Sequence, residues 1–183
     1  DIMGKFKLHT KYKLKDGTVV PSCTTVTGET LGWNKSVLMN WGIRMVKEGN
    51  DPHRMTADAA QTGTLAHALC EADINAQDYE IPEDYTEAQT GKAMKALFAF
   101  REWREQAKPN FLHAELKMIS ERLRSGGTAD GIFEMNGKTY LYDIKTSKGV
   151  YEEMKVQLGA YTGFYEESVS YTHLRAHETD SYL

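Results

Sequence analysis

The stretch that decides the fold begins at Gly126 and reads GGTADGIFEMNGKTYLYDIKTSK, ending at Lys148. After the two glycines, which are expected to break the chain, residues 128–135 and 138–146 are predicted strands. Asn136-Gly137 between them is the strongest short signal for a hairpin turn. Upstream, residues 111–119 alternate apolar and polar side chains, which predicts another strand. The three strands together predict a meander.

Four helices are predicted around this meander. Apolar residues at helical spacing indicate helices at residues 36–48, 56–76, 86–107 and 151–166. The sequence Gly49-Asn50-Asp51-Pro52 is expected to end the first of these helices. The predicted fold class is therefore α/β (or α+β), with the helices packed on the sheet.

An N-terminal hairpin is predicted before the helices. Residues 5–15 read KFKLHTKYKLK, so a strand here would have one apolar face and one cationic face. Asp16-Gly17 favours a tight turn, and residues 18–20 can return as the partner strand. Two explanations of the lysines stay open. Protection of an exposed sheet edge is slightly favoured, and contact with nucleic-acid phosphates is the alternative.

Length and composition limit the classes of protein to consider. The chain has 183 residues, which suits one domain with a substantial core. It has no apolar run of bilayer length and no signal-peptide pattern, so a cytoplasmic location is expected. The net charge of −4 argues mildly against a passive nucleic-acid binder. It does not exclude a nuclease, because carboxylates that bind metal add negative charge.

The last segment, residues 168–183, does not continue the predicted fold. Its run SYTHLRAHET resembles a translated sequencing-adaptor read, so we expect a single domain at residues 1–167, truncated at its C-terminus, and a non-native tail. The alternative is a native flexible tail. His173 and His177 lie in this tail and are not assigned to a metal.

The triplet Asp143-Ile144-Lys145 carries the predicted chemistry. Residues two apart on a strand project to one face, which would put Asp143 and Lys145 side by side. Carboxylates are ligands for Mg²⁺, a bound cation lowers the pKa of its water, and a lysine can stabilise the transition state. An ordinary ion pair on an exposed strand is the competing explanation. The preceding Gly127-Thr128-Ala129-Asp130-Gly131 argues against it.

Several motifs follow one another in an order that resembles a nuclease family. They are Glu115, Gly127-Thr128-Ala129-Asp130-Gly131, Tyr142-Asp143-Ile144-Lys145-Thr146-Ser147-Lys148 and Gln157-Leu158-Gly159-Ala160-Tyr161, with Pro21-Ser22-Cys23-Thr24-Thr25-Val26 and Gly63-Thr64-Leu65-Ala66-His67 upstream. Together they resemble the RecB-type branch of the PD-(D/E)XK nucleases, especially its phage exonuclease-like members. The resemblance covers about residues 16–166, and it implies a restriction-endonuclease-like core.

The resemblance implies roles for the residues around the triplet. Asp130 and Asp143 would be the principal metal ligands, completed by the carbonyl of Ile144. Lys145 would be the catalytic lysine. His67 matches a histidine that reaches the metal from outside the sheet, although a packed helix histidine is the simpler explanation of this residue by itself.

Further residues receive supporting roles from the same resemblance. Glu71 lies one turn after the matched histidine, and Glu115 would be a second-site or outer ligand. Gln157 and Tyr161 form a Q-x-x-x-Y motif that would support the active site or the nucleic-acid strand, and Lys148 would join them. For Tyr161, burial in an amphipathic helix is an equally good explanation.

The function implied is hydrolysis of DNA phosphodiester bonds by a phage or prophage exonuclease in recombination, repair or processing. Mg²⁺ or Mn²⁺ is the expected cofactor, and two badly spaced cysteines do not support an iron–sulfur cluster. The expected partners are DNA and a recombination or single-strand-binding protein, in the cytoplasm of a bacterial or phage-infected cell, with no membrane. A catalytically idle DNA-binding module is the alternative, and a structural metal-binding protein would leave Lys145 unexplained.

Overall fold

The computed structural model describes residues 10–30 and 35–179, with side chains through residue 169. In these residues the chain is mixed α/β, with five helices and two small sheets. In chain order the elements are β1 (Tyr12–Lys13), β2 (Val19–Val20), α1 (Cys23–Thr30), α2 (Lys35–Lys47), α3 (Pro52–Ile74), α4 (Glu87–Ala107), β3 (Asn110–Ser120), β4 (Ser125–Met135), β5 (Lys138–Tyr142) and α5 (Glu152–Thr179). The predicted mixed fold class is confirmed at this level.

The larger sheet is the predicted meander, with strand order β3-β4-β5 and antiparallel pairing. The turn between β4 and β5 is Asn136-Gly137, whose φ angles are 53° and 71°. Two consecutive positive φ angles are the geometry of the type I′ hairpin, which Asn-Gly favours. The register pairs Met135 with Lys138 and Gly131 with Tyr142. The predicted hairpin is therefore confirmed.

The two glycines at the start of the quoted stretch lie inside a strand, so the predicted break is wrong. Gly126 and Gly127 belong to β4 because aromatic rings approach the backbone there. A Cβ at Gly126 would lie 2.3 Å from the ring of Tyr12, and one at Gly127 would lie 2.2 Å from the ring of Tyr161. A glycine inside a strand commonly marks such a close approach rather than a chain break.

Strand β5 is shorter than predicted. It ends at Tyr142, so residues 143–146 are not in a strand and the alternation argument for Asp143 and Lys145 does not apply. The reason is visible in the hydrogen bonds. The amide of Ile144 donates to the carboxylate of Asp130 instead of to a neighbouring strand.

Helices α2, α3 and α4 follow predicted segments, whereas α1 (Cys23–Thr30) corresponds to none of the four predicted helices. Helix α3 begins at Pro52, earlier than predicted, because Asp51 accepts hydrogen bonds from the His53 and Arg54 amides. Proline tolerates the first helical turn because it has no amide hydrogen to satisfy. Helix α4 begins after a reciprocal capping box between Thr86 and Gln89.

The chain divides into two compact units. One comprises Asp1–Gly32, Glu115–Ala129 and Tyr151–Leu183, and the other comprises Trp33–Ala114 and Asp130–Val150. In the first unit, the N-terminal hairpin is confirmed over its described residues, with Tyr12 paired to Val20. Residues 5–9 of the predicted strand lie outside the described part of the chain. Tyr12, Leu14 and Val20 form a small core against Ile119.

The second unit has the larger core, formed where α3 and α4 pack together. Leu65 and Cys70 are fully buried there, beside Leu97. An aromatic cluster adjoins this core and comprises Phe100, Trp103, Phe111, Phe133, Tyr140 and Tyr142. Truncating Leu65 to alanine would cost about 2–5 kcal/mol, which is typical of a fully buried leucine. The side chains that α3 and β4 bury in this unit are therefore tightly packed.

The last helix of the described chain is longer than predicted. Helix α5 continues to Thr179 instead of ending near residue 166, because residues 167–179 contain neither glycine nor proline to stop it. The domain boundary after residue 167 stays a prediction. The side chains of Tyr171 and Leu174, and all of Leu183, lie outside the described residues. No described helix is both long and apolar enough to cross a membrane.

Candidate functional site

Asp130 lies in the middle of β4, and two donors from different elements fix its carboxylate. His67 on α3 donates from Nδ1 to Oδ1 over 2.9 Å. The backbone amide of Ile144, just beyond β5, donates to Oδ2. The Asp130 side chain is 24% exposed, so it is held from two sides and still reaches solvent.

Gly131, the residue after this aspartate, has no room for a side chain. Its φ angle is 157°, and a Cβ would lie 2.0 Å from the carbonyl oxygen of His113 and 2.8 Å from the hydroxyl of Tyr142. The close approach lets β4 run directly against the backbone of β3 at this point. The aspartate-glycine pair of the motif therefore has a local reason, since the glycine sets the backbone that presents Asp130.

Asp143 and Lys145 form an ion pair in the segment that follows β5. The Asp143 side chain is 11% exposed and that of Lys145 is 33% exposed. Burial raises the pKa of Asp143, the Lys145 ammonium opposes that rise, and the nearby Asp130 charge adds to it. Asp143 is therefore a largely buried carboxylate whose charged form is favoured by the Lys145 ammonium beside it.

His67 is the fourth titratable group at this site. The hydrogen bond to Asp130 raises the pKa of His67, while partial burial opposes the rise. The charges of Lys145 and Asp143 also act on the imidazole. The structure thus brings His67, Asp130, Asp143 and Lys145 together within one compact unit. The backbone of Ile144 joins them, but through its amide hydrogen and not through its carbonyl.

Sequence reasoning missed Tyr142, which borders the same site. Burial raises the pKa of its hydroxyl strongly, and the nearby charges of Asp130 and Glu71 add to the effect. The partly buried Glu71 is therefore close enough to this group to influence it. The signal that could have identified Tyr142 is its position immediately before the Asp143 triplet, opposite Gly131 in the hairpin register.

The predicted metal site agrees with the structure in the types of donor present but not in their arrangement. The donor set of two carboxylates, an imidazole and a backbone carbonyl is chemically suited to a hard divalent cation. However, among residues 10–30 and 35–179, no group of three or more His, Cys, Asp and Glu side chains is arranged to hold a metal ion. The carboxylate of Asp130 is directed to His67 and Ile144, and that of Asp143 to Lys145. A cation would have to share these oxygens with their present donors.

The remaining predicted residues divide between the two units. Lys148 is exposed in the segment after β5 of the second unit. Glu115, Gln157 and Tyr161 belong to the first unit. Glu115 is an exposed residue of β3 with a φ angle of 49°, which is uncommon for a non-glycine residue. Whether Glu115 and Gln157 adjoin the metal ligands stays a prediction.

Gln157 and Tyr161 form a pair on α5. The Gln157 side-chain amide donates to the Tyr161 hydroxyl over 2.8 Å, and Tyr161 is 4% exposed. The ring of Tyr161 lies against the backbone of Gly127, where a side chain would collide with it. The motif is thus a packed contact between α5 and β4, with its polar atoms turned to each other.

A scan against protein-family models gave no match, and a search of curated proteins gave none either. The case for a nuclease therefore depends on the motifs together with the geometry of His67, Asp130, Asp143 and Lys145.

Proposed function

We propose that this chain is a divalent-metal-dependent deoxyribonuclease with a restriction-endonuclease-like core. The observation that carries the proposal is the grouping of Asp130, Asp143 and Lys145 beside the end of the β4–β5 hairpin. A buried aspartate paired with a lysine, next to a second aspartate, is unusual without a chemical task, because buried charge is costly. Cleavage of phosphodiesters needs these groups at one place.

The proposed cation is Mg²⁺ or Mn²⁺, held by Asp130 and Asp143 with the carbonyl of Ile144. When bound, such an ion supplies positive charge at the scissile phosphate and acidifies a water molecule. Both carboxylates can accept it without losing their present donors, since an ionised carboxylate has about four acceptor positions. The cation requirement is thus compatible with the observed hydrogen bonds.

Lys145 has two roles in this proposal. Before substrate binds, its ammonium opposes the rise in the pKa of Asp143 that burial causes, and so favours the charged form that can act as a ligand. Its side chain is one-third exposed, so the same ammonium can also face the developing negative charge on the phosphate. His67 is a positioning residue, because it orients the Asp130 carboxylate through Oδ1.

A second candidate is a catalytically idle DNA-binding or recombination-partner module of the same fold. It is favoured by the carboxylates' engagement with internal donors and by the lack of a metal-holding side-chain group in the described chain. In such a module, Lys145 and His67 would serve only to neutralise Asp143 and Asp130. The two candidates differ in one measurable property, which is hydrolysis.

The test is incubation of the full chain with end-labelled linear DNA and with closed circular DNA, in Mg²⁺, in Mn²⁺ and in EDTA. We expect metal-dependent release of short products from the linear DNA and little attack on the circle, as an exonuclease would give. Asp143→Asn serves as the inactive control. Absence of cleavage in both metals, with DNA binding retained, would favour the idle module instead.

A phage or prophage origin, action in recombination or repair, a single-strand-binding partner protein and a cytoplasmic site of action accompany this proposal. They depend on the resemblance to RecB-type nucleases alone. A search for such a partner should use the wild-type chain bound to DNA. A protein that recognises the nuclease on DNA need not recognise it free.

A further inference from the structure

The N-terminal hairpin carries a row of lysines that the proposed nuclease site does not use. Lys11, Lys13 and Lys15 are exposed, while the intervening Tyr12 and Leu14 are 7% and 5% exposed. The alternation seen in the sequence is therefore a real division between a buried face and a cationic face. Together with Lys117 of β3, these residues are called the basic ribbon below.

Lys117 lies alongside the row. Its ammonium donates to the carbonyl of Lys11 over 3.0 Å and sits 5.5 Å from the centroid of the Tyr12 ring. Four residues farther along each segment, the Lys15 amide donates to the carboxylate of Glu121 over 2.7 Å. The hairpin is thus fastened to Lys117 of β3 and to Glu121 just after it. Lys13 lies in β1, Lys11 directly precedes this strand, and Lys15 lies in the turn that follows it.

The acidic groups close to the ribbon are engaged locally. Residues 10–20 contain three lysines and one acidic residue, Asp16. Hydrogen bonds from Thr18 lower the pKa of Asp16, and the Arg124 charge lowers it further. Glu121 accepts the Lys15 amide. The local balance of charge is therefore positive on a chain whose net charge is −4.

Edge protection, the other explanation of these lysines, accounts for less than is observed. Strand β1 pairs over only two residues, and a very short edge already discourages pairing with other chains. The Lys117 ammonium already occupies the carbonyl of Lys11. A single charged side chain at the edge would be enough to protect so short a strand. Edge protection therefore does not explain why there are three lysines.

We infer that the basic ribbon binds the phosphate backbone of nucleic acid, and single-stranded DNA in particular. Lys11 and Lys13 flank Tyr12 at the start of β1, and alternate residues of an extended strand are separated by roughly 6.8 Å, a repeat comparable to that of successive phosphates on a stretched single strand. Val19 is 59% exposed directly opposite Lys13, so it offers an apolar contact to a sugar or base on the same face. The inference rests on the proposed function for its choice of DNA as the polyanion.

The experiment measures fluorescence anisotropy of a labelled single-stranded oligonucleotide against the full chain in EDTA, over a series of salt concentrations. The test variant is Lys11→Gln, Lys13→Gln and Lys15→Gln together. A matched control neutralises Lys47, Lys95 and Lys138, three exposed lysines of the other unit, and so makes the same change in net charge. A third protein replaces the three ribbon lysines by arginine.

Each phosphate contact on a single strand contributes roughly 0.7 to the slope of log K against log salt, so the ribbon variant should lose about 2 from the slope. Its affinity at low salt should fall by at least roughly tenfold. The control triple and the arginine triple should keep the wild-type slope. Because the arginine protein keeps the charge, it separates lost contact from lost folding if the glutamine variant proves unstable.

Equal slopes for the ribbon variant and the control triple would overturn the inference. So would unchanged DNA binding accompanied by self-association of the ribbon variant, which is the result that edge protection predicts. Binding to anionic lipid vesicles but not to the oligonucleotide would also overturn it. The nuclease proposal fails separately, if wild-type protein binds DNA but releases no products in Mg²⁺ or Mn²⁺.

Discussion

Two regions that the same motifs singled out have different physical characters. Around Asp130 and Asp143, titratable groups pair with one another and still reach solvent, with exposed fractions from 11% to 35%. Around Gln157 and Tyr161, the polar atoms pair inside a packed contact, and Tyr161 is 4% exposed. Chemistry on a large substrate needs accessible groups, so the first region is the candidate for catalysis. The second region is a packed contact of α5 with β4.

The largest expected effect is on cleavage, in the first region. Asp143→Asn removes a proposed ligand, and Lys145→Ala removes the ammonium that pairs with Asp143. We expect each to reduce cleavage by roughly a thousandfold, while affinity for DNA changes little because phosphate contacts are spread over many residues. Initial rates on end-labelled DNA and anisotropy titrations measure the two quantities. Lys138→Ala, an exposed lysine of β5, is the control and should cleave normally.

Wild-type cleavage by the Lys145→Ala protein would remove this lysine from the mechanism.

The next effect is on stability, and it concerns the glycines that each region requires. Gly131→Ala would push a methyl group into the His113 carbonyl, and Gly127→Ala would push one into the Tyr161 ring. Both should lower the free energy of unfolding by roughly 2–4 kcal/mol. Gly91→Ala on α4 meets no atom within 4 Å and should stabilise by up to about 1 kcal/mol. Urea unfolding of the three proteins measures these differences.

The two damaging substitutions should differ in their effect on cleavage measured where both proteins are folded. Gly131→Ala displaces the backbone next to Asp130 and should impair cleavage strongly. Gly127→Ala should impair it less. Equal losses would mean that the Tyr161 contact positions the carboxylates as directly as Gly131 does.

A smaller effect tests the supporting region alone. Tyr161→Phe keeps the ring against Gly127 and deletes the hydroxyl that Gln157 donates to, so it should cost about 1 kcal/mol of stability. The rate of cleavage under saturating DNA should stay near that of wild type. Thermal unfolding and single-turnover rates provide the measurements. A large fall in rate without a fall in stability would assign Tyr161 to the substrate and contradict its role as a packed residue.

The sequence predicted those features that depend on local signals. Asn136-Gly137 specifies its hairpin turn through positive φ angles, and helix α4 begins at the capping box that its residues encode. The end of β5 was not predictable from local signals, because the Ile144 amide leaves the strand to bind Asp130, a residue 14 positions earlier. Gly126 and Gly127 were misjudged for the same reason. Their role depends on tyrosines distant in sequence.

The candidate site was predictable as a set of residues but not as an arrangement. Asp143 and Lys145 were expected to meet by strand alternation, and they meet as an ion pair outside a strand. His67 was expected to face a metal, and its Nδ1 binds Asp130. Motif order therefore identified the members of the group, whereas their hydrogen bonds depend on the tertiary contacts of α3 with the hairpin end.

The pH dependence of stability should differ in sign between the two units. In the second unit, the pKa of His67 is raised above 6.5, chiefly by its hydrogen bond to Asp130. Its contribution to stability is fully present below that value and is lost as pH rises through the folded-state pKa. His67→Gln should therefore flatten the fall in melting temperature on the alkaline side of neutrality. His53→Gln, whose side chain lies on the first turn of the same helix, is the control and should leave that fall unchanged.

The smallest effect belongs to the first unit and to acid pH. Partial burial by itself would raise the pKa of Glu167, but a hydrogen bond from Ser120 and backbone donors at Glu121 and Arg122 lower it below 4.5. The Ser120 hydroxyl lies 2.5 Å from the carboxylate, and the two amides lie 3.0 and 3.2 Å from it. This stabilisation is present above pH 4.5 and is lost as pH falls through the folded-state pKa.

Glu167→Gln should therefore make the loss of melting temperature between about pH 5 and about pH 3 less steep. The adjacent Glu166→Gln changes an exposed side chain and should leave the acid limb as in wild type. If both variants flatten the acid limb equally, general charge repulsion governs acid unfolding, and the contact of Glu167 with the β3–β4 turn is not the cause.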